Sequence, residues 1–297
     1  MKSGFVSIVG RTNVGKSSII NSLVGEKVAA TANRPQTTRK AIKAIVNTDQ
    51  AQIIFIDTPG IHKPKTKLGN TMIETSIGSM NDVDLIVFVV EAISKEINDE
   101  EKKILETIKK SKKKTILVIN KMDLANMGKF VKIMEMYKKE YDFISVLPMT
   151  ATDSKDINVL LEEIEKNLSE GPIYYDREEY TDQTMQQLVE EIIREKALRL
   201  LRDEVPHGIL VEVEKMKKRK TLKNEPIFNV EATIYCARES HKGIIIGKNG
   251  EMLKKISTYA RQELEEMLGT KLNLQVWVKV KNDWLNNDAF VKKFKMQ

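Results

Sequence analysis

Short apolar runs recur through the first half of the chain, mostly separated by polar stretches with helical spacing. The runs cover 5–9 (FVSIV), 43–46, 52–57, 85–90 (LIVFVV), 115–120 and 143–147. Their near-continuous apolar character, in place of strict alternation, is what strands buried on both faces require. The pattern predicts an α/β unit with a mostly parallel six-stranded sheet covered by helices on both faces. Residues 41–47 and 51–57 are separated only by NTDQ at 47–50, too short for a helical crossover. That pair predicts a hairpin, and hence one antiparallel edge strand. The spacing in 160–168 predicts a closing helix.

Beyond residue 168 the pattern changes. The stretch SEGP at 169–172 interrupts helical spacing with glycine and proline, which marks a boundary. Residues 188–201 then carry apolar positions three and four apart, an amphipathic helix stopped by Pro206, His207 and Gly208. Residues 209–213 and 227–235 alternate like strands, with a lysine-rich connection KMKKRK at 215–220 between them. A helix over 252–268 and a strictly alternating strand over 272–280 follow. The tail from Asp283, with Trp284 and Phe290, reads as an appended turn or short helix. The order α-β-β-α-β predicts a smaller α+β domain at 185–297, after a first domain at 1–168 and a linker at 169–184.

Composition changes this picture in three places. At 297 residues the chain exceeds what one core usually serves, which agrees with two domains. The single cysteine, Cys236, excludes an intramolecular disulfide framework and is expected as a buried strand residue. The longest apolar run, 85–90, ends at Glu91 and falls far short of the roughly 20 residues that cross a bilayer. A strand beginning at residue 5 leaves no room for a signal peptide, so the expected compartment is the cytoplasm. The net charge of +7 is carried entirely by 205–297, since 1–204 balances. A basic domain fused to a neutral one suggests a polyanion partner, although surplus lysine also serves solubility.

Residues 10–17, GRTNVGKS, match G-x-x-x-x-G-K-[S/T] between a predicted strand and a predicted helix, the setting that motif requires. Its glycines let backbone N–H groups converge on phosphate oxygens. The candidate cradle is Gly10, Asn13, Val14, Gly15, Lys16, Ser17 and Ser18. Lys16 can reach the outer phosphates, and the Ser17 hydroxyl can ligate Mg²⁺. Residues 57–60, DTPG, end the next strand of the hairpin. Asp57 can hold a water on the metal, and the Gly60 N–H can sense the terminal phosphate. By itself that tetrapeptide would as readily be an ordinary turn.

Residues 120–123, NKMD, select the base. A carboxylate accepts two hydrogen bonds side by side, and guanine offers N1–H and an exocyclic amine on one edge. Adenine offers no such pair, so it would leave Asp123 desolvated and unmatched. Asn120 can tie this loop to the phosphate loop while the stem of Lys121 lies on the base plane. In MTA at 149–151, Thr150 and Ala151 can complete the pocket, with the Ala151 N–H directed at the guanine oxygen. These four stretches, in this order, resemble the GTPase signature set. The resemblance implies a switch threonine in RPQTTR at 34–39, Thr38 or else Thr37, reaching Mg²⁺. Lys16, Thr38 and Gly60 are then the candidate catalytic residues. Ras-type GTPases place a water-orienting glutamine where this chain has Ile61. Hydrolysis is therefore expected to be slow alone, with stabilisation from Lys16, Mg²⁺ and backbone donors.

A second glycine turn, GKNG at 247–250, lacks the spacing of a phosphate loop and a following serine or threonine. A bare helix–helix turn would satisfy it. Yet glycines there admit a sugar–phosphate backbone, and the N-terminus of the next helix favours a phosphate. Lys248 and Asn249 add donors beside Gly247 and Gly250. Ile244, Ile245 and Ile246, with strand 227–235, could form an apolar groove for unpaired bases. Lys217, Lys218 and Arg219 would add charge. This is the mode of a type II KH domain, which clamps about four nucleotides of single-stranded RNA.

With these motifs, and with DTPGIHKPKTKLGN at 57–70, EEIIREK at 190–196, VPH at 205–207 and VKVKNDW at 278–284, nearly the whole chain resembles the Era family of bacterial GTPases with a C-terminal KH domain. The resemblance implies GTP and GDP binding with Mg²⁺ and GTP hydrolysis. It also implies binding of the 3′ end of 16S rRNA and a role in maturation of the 30S subunit. A peripheral fraction at the cytoplasmic face of the cell membrane and a monomeric state are further expectations. Segments 31–40 and 58–72 would be the nucleotide-ordered switches. The chain departs from the family pattern at Thr12 (usually proline), Glu91 (often aspartate) and Thr150 (usually serine), with modest effect expected on affinity. Two rivals remain at this level: a membrane or signalling GTPase with a docking tail, and an RNA chaperone whose first domain is only a scaffold.

Overall fold

The structure is a computed structural model that describes residues 1–31, 42–57, 66–202, 205–220 and 224–287. The described residues divide into two compact units between Asp182 and Gln183. In the first, strands β1 (Lys2–Val9), β2 (Ile42–Asn47), β3 (Ala51–Asp57), β4 (Leu85–Glu91), β5 (Lys114–Asn120) and β6 (Ser145–Pro148) form one sheet. Helices α1 (Lys16–Val24), α2 (Lys67–Gly78), α3 (Asp99–Ser111), α4 (Met127–Lys138) and α5 (Ser154–Asn167) flank it. The strand order is β2-β3-β1-β4-β5-β6, and only the β2–β3 pair is antiparallel.

Every residue of β4 is buried, which explains its lack of alternation. Val87 and Val89 enter a core with Ile19 and Ile20 of α1 and Leu160 and Ile164 of α5. Ile86, Phe88 and Val90 enter the opposite core with Ile104 and Ile108 of α3 and Tyr137 of α4. After β1 the chain builds β2 and β3 on one side of it, then crosses to β4 on the other. Such a reversal opens a crevice at the carboxyl ends of the strands, where ligands of open α/β sheets bind. The lysine run at 109–114 ends α3, whose cap, Lys112, is left-handed at φ 56°.

Residues 169–182 lie bound along the first unit. Gln52, fully buried, accepts the N–H groups of Tyr174 and Tyr175 at 2.7 and 3.1 Å and donates to the Tyr175 carbonyl at 2.8 Å. The Ile45 N–H donates to the Tyr180 carbonyl at 2.9 Å, so this segment pairs with β2 and covers the sheet's edge.

The second unit contains α6 (Met185–Leu200), β7 (Ile209–Lys220), β8 (Pro226–Cys236), α7 (Glu239–Ile246), α8 (Glu251–Leu268) and β9 (Lys271–Val280). Its sheet runs β7-β8-β9, antiparallel then parallel. Ile192 and Ile193 of α6 and Ile256, Ala260 and Leu264 of α8 pack on Val211, Val230, Ala232 and Ile234. Cys236 joins this core, and burial pushes its thiol up from its ordinary range. Two readings change. The lysines 215–220 are not a connection: they continue β7 past a bulge at Val213/Lys215, with Lys215 opposite Glu231 and Lys217 opposite Asn229. Their charge faces water while the strand pairing satisfies the backbone. The second difference is α7, a separate helix just before the glycine turn, whose GIII sequence at 243–246 carries no clear amphipathic period. The Trp284 indole is buried and donates to the Gly208 carbonyl at 3.0 Å, so the tail up to Asn287 begins as a docked turn.

Candidate functional site

The loops that end β1, β4, β5 and β6 meet at the crevice, and the phosphate loop is its floor. Asn13 at φ 66° and Gly15 at φ 103° bend the chain so that successive N–H groups can turn to one point. A Cβ on Gly10 would lie 2.5 Å from the Val89 carbonyl oxygen, and one on Gly15 would lie 2.2 Å from Asn120 Nδ2. Packing therefore requires both glycines, and conformation requires Gly15 as well. Val14 is buried beneath the loop. Lys16, 6% exposed, donates from Nζ to the carbonyls of Gly10 at 3.1 Å and Arg11 at 2.9 Å, which sets its ammonium across the loop. Ser17 and Ser18 open α1, whose first turn holds no acidic residue to oppose an anion at the positive end of the helix dipole. These features fit a bound polyphosphate. Thr37, Thr38, Gly60 and Ile61 lie outside the described residues, as does the side chain of Asp57, whose backbone closes β3.

Asn120 is the hub. Its Nδ2 donates to the Val14 carbonyl at 2.7 Å, and its Oδ1 accepts the Ala151 N–H at 3.1 Å. One buried amide thus joins the phosphate loop, the NKMD loop and the MTA loop. The Ala151 N–H, expected to face guanine, is turned to Asn120 in this structure. The Ala151 carbonyl accepts from the Ser22 hydroxyl at 2.7 Å, and the Thr150 N–H donates to Asp156 at 2.7 Å, which fixes that loop from both sides. Asp123 lies in a short 3-10 turn, exposed, where its carboxylate can meet a ligand. Lys121 is left-handed at φ 65°.

Sequence reasoning missed a charged cluster beside these loops. Glu91, at the end of β4, pairs with both Arg11 of the phosphate loop and Lys121. Arg11 Nε also lies 3.3 Å from Oε1 of the fully buried Glu101 on α3. The signal was present: a carboxylate ends the most apolar strand, in register with Asn120.

In the second unit the turn at 247–250 links α7 to α8. Gly247 sits at φ 73°, ψ 175°, and a Cβ there would lie 2.7 Å from Met252 Cβ. Lys248 and Asn249 are exposed, and Ile244 is 50% exposed beside them. Ile245 is a correction: it is fully buried in the core and offers no surface to a base. The apolar residues of β8, Val230, Ala232 and Ile234, are likewise enclosed in that core. The lysine cluster is also apart from the turn. Lys217, Lys218 and Arg219 lie opposite Asn229, Phe228 and Ile227. At about 3.3 Å per residue, that is roughly 25 Å along β8 from Cys236, where the chain leaves for α7. Lys218 instead stands over the Phe228 ring at 5.8 Å.

A family model described as 50S ribosome-binding GTPase matches residues 5–121, and a KH-domain model matches residues 204–285. GTPase Era of Clostridium kluyveri is 48% identical over 292 residues, 98% of each chain. GTPase Era of Clostridioides difficile is 48% identical over 294 residues, 99% of this chain and 98% of its own. A crystal structure of Era in complex with MgGDPNP and nucleotides 1506–1542 of 16S ribosomal RNA matches with a TM-score of 0.93 at 36% identity, covering 99% of this chain and 98% of that one. A tyrosine-to-alanine variant of Aquifex aeolicus Era bound to GDP·AlF4⁻ matches equally, with a TM-score of 0.93 at 36% identity and 99% of both chains covered.

Proposed function

The chain belongs to the Era family of GTPases, and on that premise we propose that it is a guanine-nucleotide switch whose KH domain holds the single-stranded 3′ end of 16S rRNA during assembly of the 30S subunit. It binds GTP and GDP with Mg²⁺ and hydrolyses GTP to GDP and phosphate. The observation that carries the reading is the hub at Asn120, which holds three nucleotide loops in one constellation.

In the proposed mechanism, Gly10, Asn13, Val14, Gly15 and Ser18 supply the backbone cradle, and Lys16 takes the outer phosphates. Asp123 reads the guanine edge, while Thr150 and Ala151 close the pocket. Ser17, Thr38 and, through water, Asp57 would hold Mg²⁺, which would supply positive charge to the phosphates when the terminal phosphoryl group passes to water and GDP leaves. Gly60 would sense the terminal phosphate. With Ile61 in place of a glutamine, backbone donors and Lys16 carry the stabilisation, and RNA or a ribosomal partner raises a slow rate. We place the GTPase domain at 1–168, the linker at 169–184 and the KH domain at 185–297. Coupling between them must be reciprocal, so RNA would shift nucleotide affinity or turnover as nucleotide shifts RNA affinity. A peripheral fraction at the cytoplasmic face of the membrane rests on the family resemblance; no helix among the described residues is long and apolar enough to cross one.

The test is binding of labelled single-stranded RNA to the protein and to a Lys248→Asp, Asn249→Asp pair, each with GDP and with a GTP analogue. Two new carboxylates facing a phosphate backbone are expected to weaken RNA binding about 10-fold or more, with GDP affinity retained. Unchanged RNA affinity in the pair moves the RNA site elsewhere. A difference below about twofold between the nucleotide states removes the switch.

A further inference from the structure

Glu91 touches the two side chains that border the phosphates and the base, and no role above depends on it. Its side chain is 8% exposed, yet its carboxylate meets two cations, Arg11 and Lys121. Both ends of the arrangement are built. Arg11 also forms an ion pair with Glu101, Nε to Oε1 at 3.3 Å, and the other Glu101 carboxylate oxygen accepts the Asn98 N–H at 3.1 Å in the capping box of α3. Lys121 leaves its strand in a left-handed conformation, so backbone sets the root of its stem and Glu91 sets the tip. Two carboxylates and two cations balance, so their mutual attraction offsets part of the cost of desolvating them.

We propose that Glu91 is the positioning residue of the nucleotide pocket, tethering the Lys121 ammonium so that the lysine stem lies along the base plane while pinning Arg11 and the phosphate loop. The inference rests on the nucleotide reading above and deepens it. A four-carbon lysine stem loses rotamer freedom when it stacks. Held by Glu91 before the ligand arrives, it loses that freedom on folding and not on binding, so the tether raises affinity by preorganisation. The stem reads no donor or acceptor, so the tether strengthens all purine diphosphates that Asp123 admits, and leaves their ranking to Asp123. An aspartate at this position is one methylene shorter and reaches one cation at a time.

The experiment is calorimetry of GDP, GTP and inosine diphosphate, with Mg²⁺, on the full chain and its variants, each checked by thermal denaturation. Glu91→Gln is expected to weaken GDP and GTP about 10-fold, and Glu91→Asp about threefold. The ratio of GDP to inosine diphosphate affinity should stay within twofold of the parent in both. Lys121→Met should weaken GDP alike, and adding it to Glu91→Gln should cost less than a further twofold. Glu91→Gln within twofold of the parent overturns the proposal, as do fully multiplicative losses in the double variant. If Glu91→Gln does not fold, the same link is read through Arg11→Met and Lys121→Met, where multiplicative losses overturn it and smaller combined losses support it. Failure of the parent chain to prefer GDP would instead sink the nucleotide reading itself.

Discussion

The two glycine turns, 10–17 and 247–250, look alike in sequence and differ in how they are held. In the first, the lysine is buried and bonded across its own loop, and the glycine before it lies against the Asn120 amide. Three other loops meet it through that amide and through Arg11. In the second, lysine and asparagine project outward, and a Cβ on Gly250 would meet nothing within 4 Å. The difference follows from what each must hold. A terminal phosphate is a compact charge that has to be enclosed and dried for its bonds to count. A nucleic-acid backbone passes over a site and continues, so its clamp stays open and relies on exposed donors and a helix N-terminus.

The sharpest break of this comparison is Gly15→Ala. The new methyl needs positive φ and the space of Asn120 Nδ2, so Asn120 must leave Val14 and Ala151. Two buried hydrogen bonds and a strained backbone amount to about 2.7 kcal/mol, or about 100-fold in GDP affinity. RNA binding in the absence of nucleotide should be unchanged. GDP binding within threefold of the parent, by calorimetry, would mean the first loop is no more integrated than the second.

That contrast was only half legible in the sequence. The nucleotide loops were, because each motif sits at the end of an apolar strand and the strand order forces those ends together. Glu91 reads in the sequence as a departure from a pattern and not as a link, since Arg11 and Lys121 are 110 positions apart and both reach it only through the registers of β1, β4 and β5. In the second unit, composition misled. Lys217, Lys218 and Arg219 look like part of a clamp but belong to a strand whose register carries them away from the turn. Ile244 and Ile245 are equivalent in sequence, and the rotation of α7 makes one surface and the other core. The packing of 169–182 on β2 was hidden because a buried glutamine, not an apolar pattern, anchors it.

A smaller effect separates the two glycines within the open turn. Gly247, at φ 73° and ψ 175°, occupies a region nearly closed to other residues and also faces Met252. Gly247→Ala should destabilise the second unit by about 2 kcal/mol. Gly250, at φ 80° and ψ 6°, has open space around it. Gly250→Ala should cost about 1 kcal/mol, the left-handed penalty alone. Urea midpoints of the two variants check this. Equal losses would mean that Met252 yields, and that neither glycine of the open turn is fixed by packing.

The smallest effect lies at the other end of α8, and it asks whether the clamp is steadied remotely. The Glu265 carboxylate accepts the Leu272 N–H at 3.0 Å, which ties the last turn of α8 to the start of β9. That hydrogen bond is the main reason its pKa is lowered below 4.5, with Arg261 assisting against partial burial. A lowered folded value means that the ionised form is the stabilising one. The contribution is complete above about pH 4.5 and disappears as pH falls through the lowered folded value. Glu265→Gln keeps an acceptor but not the charge, so it should cost about 0.5 kcal/mol at pH 7. Urea midpoints taken from pH 7 to pH 3 should bring variant and parent together at the acid end. RNA affinity at pH 7 should be the same in both, because an open turn that carries its own donors does not need the far end of its helix tightened. A loss of RNA affinity in Glu265→Gln would show that the clamp, like the phosphate loop, depends on bonds made well away from its ligand.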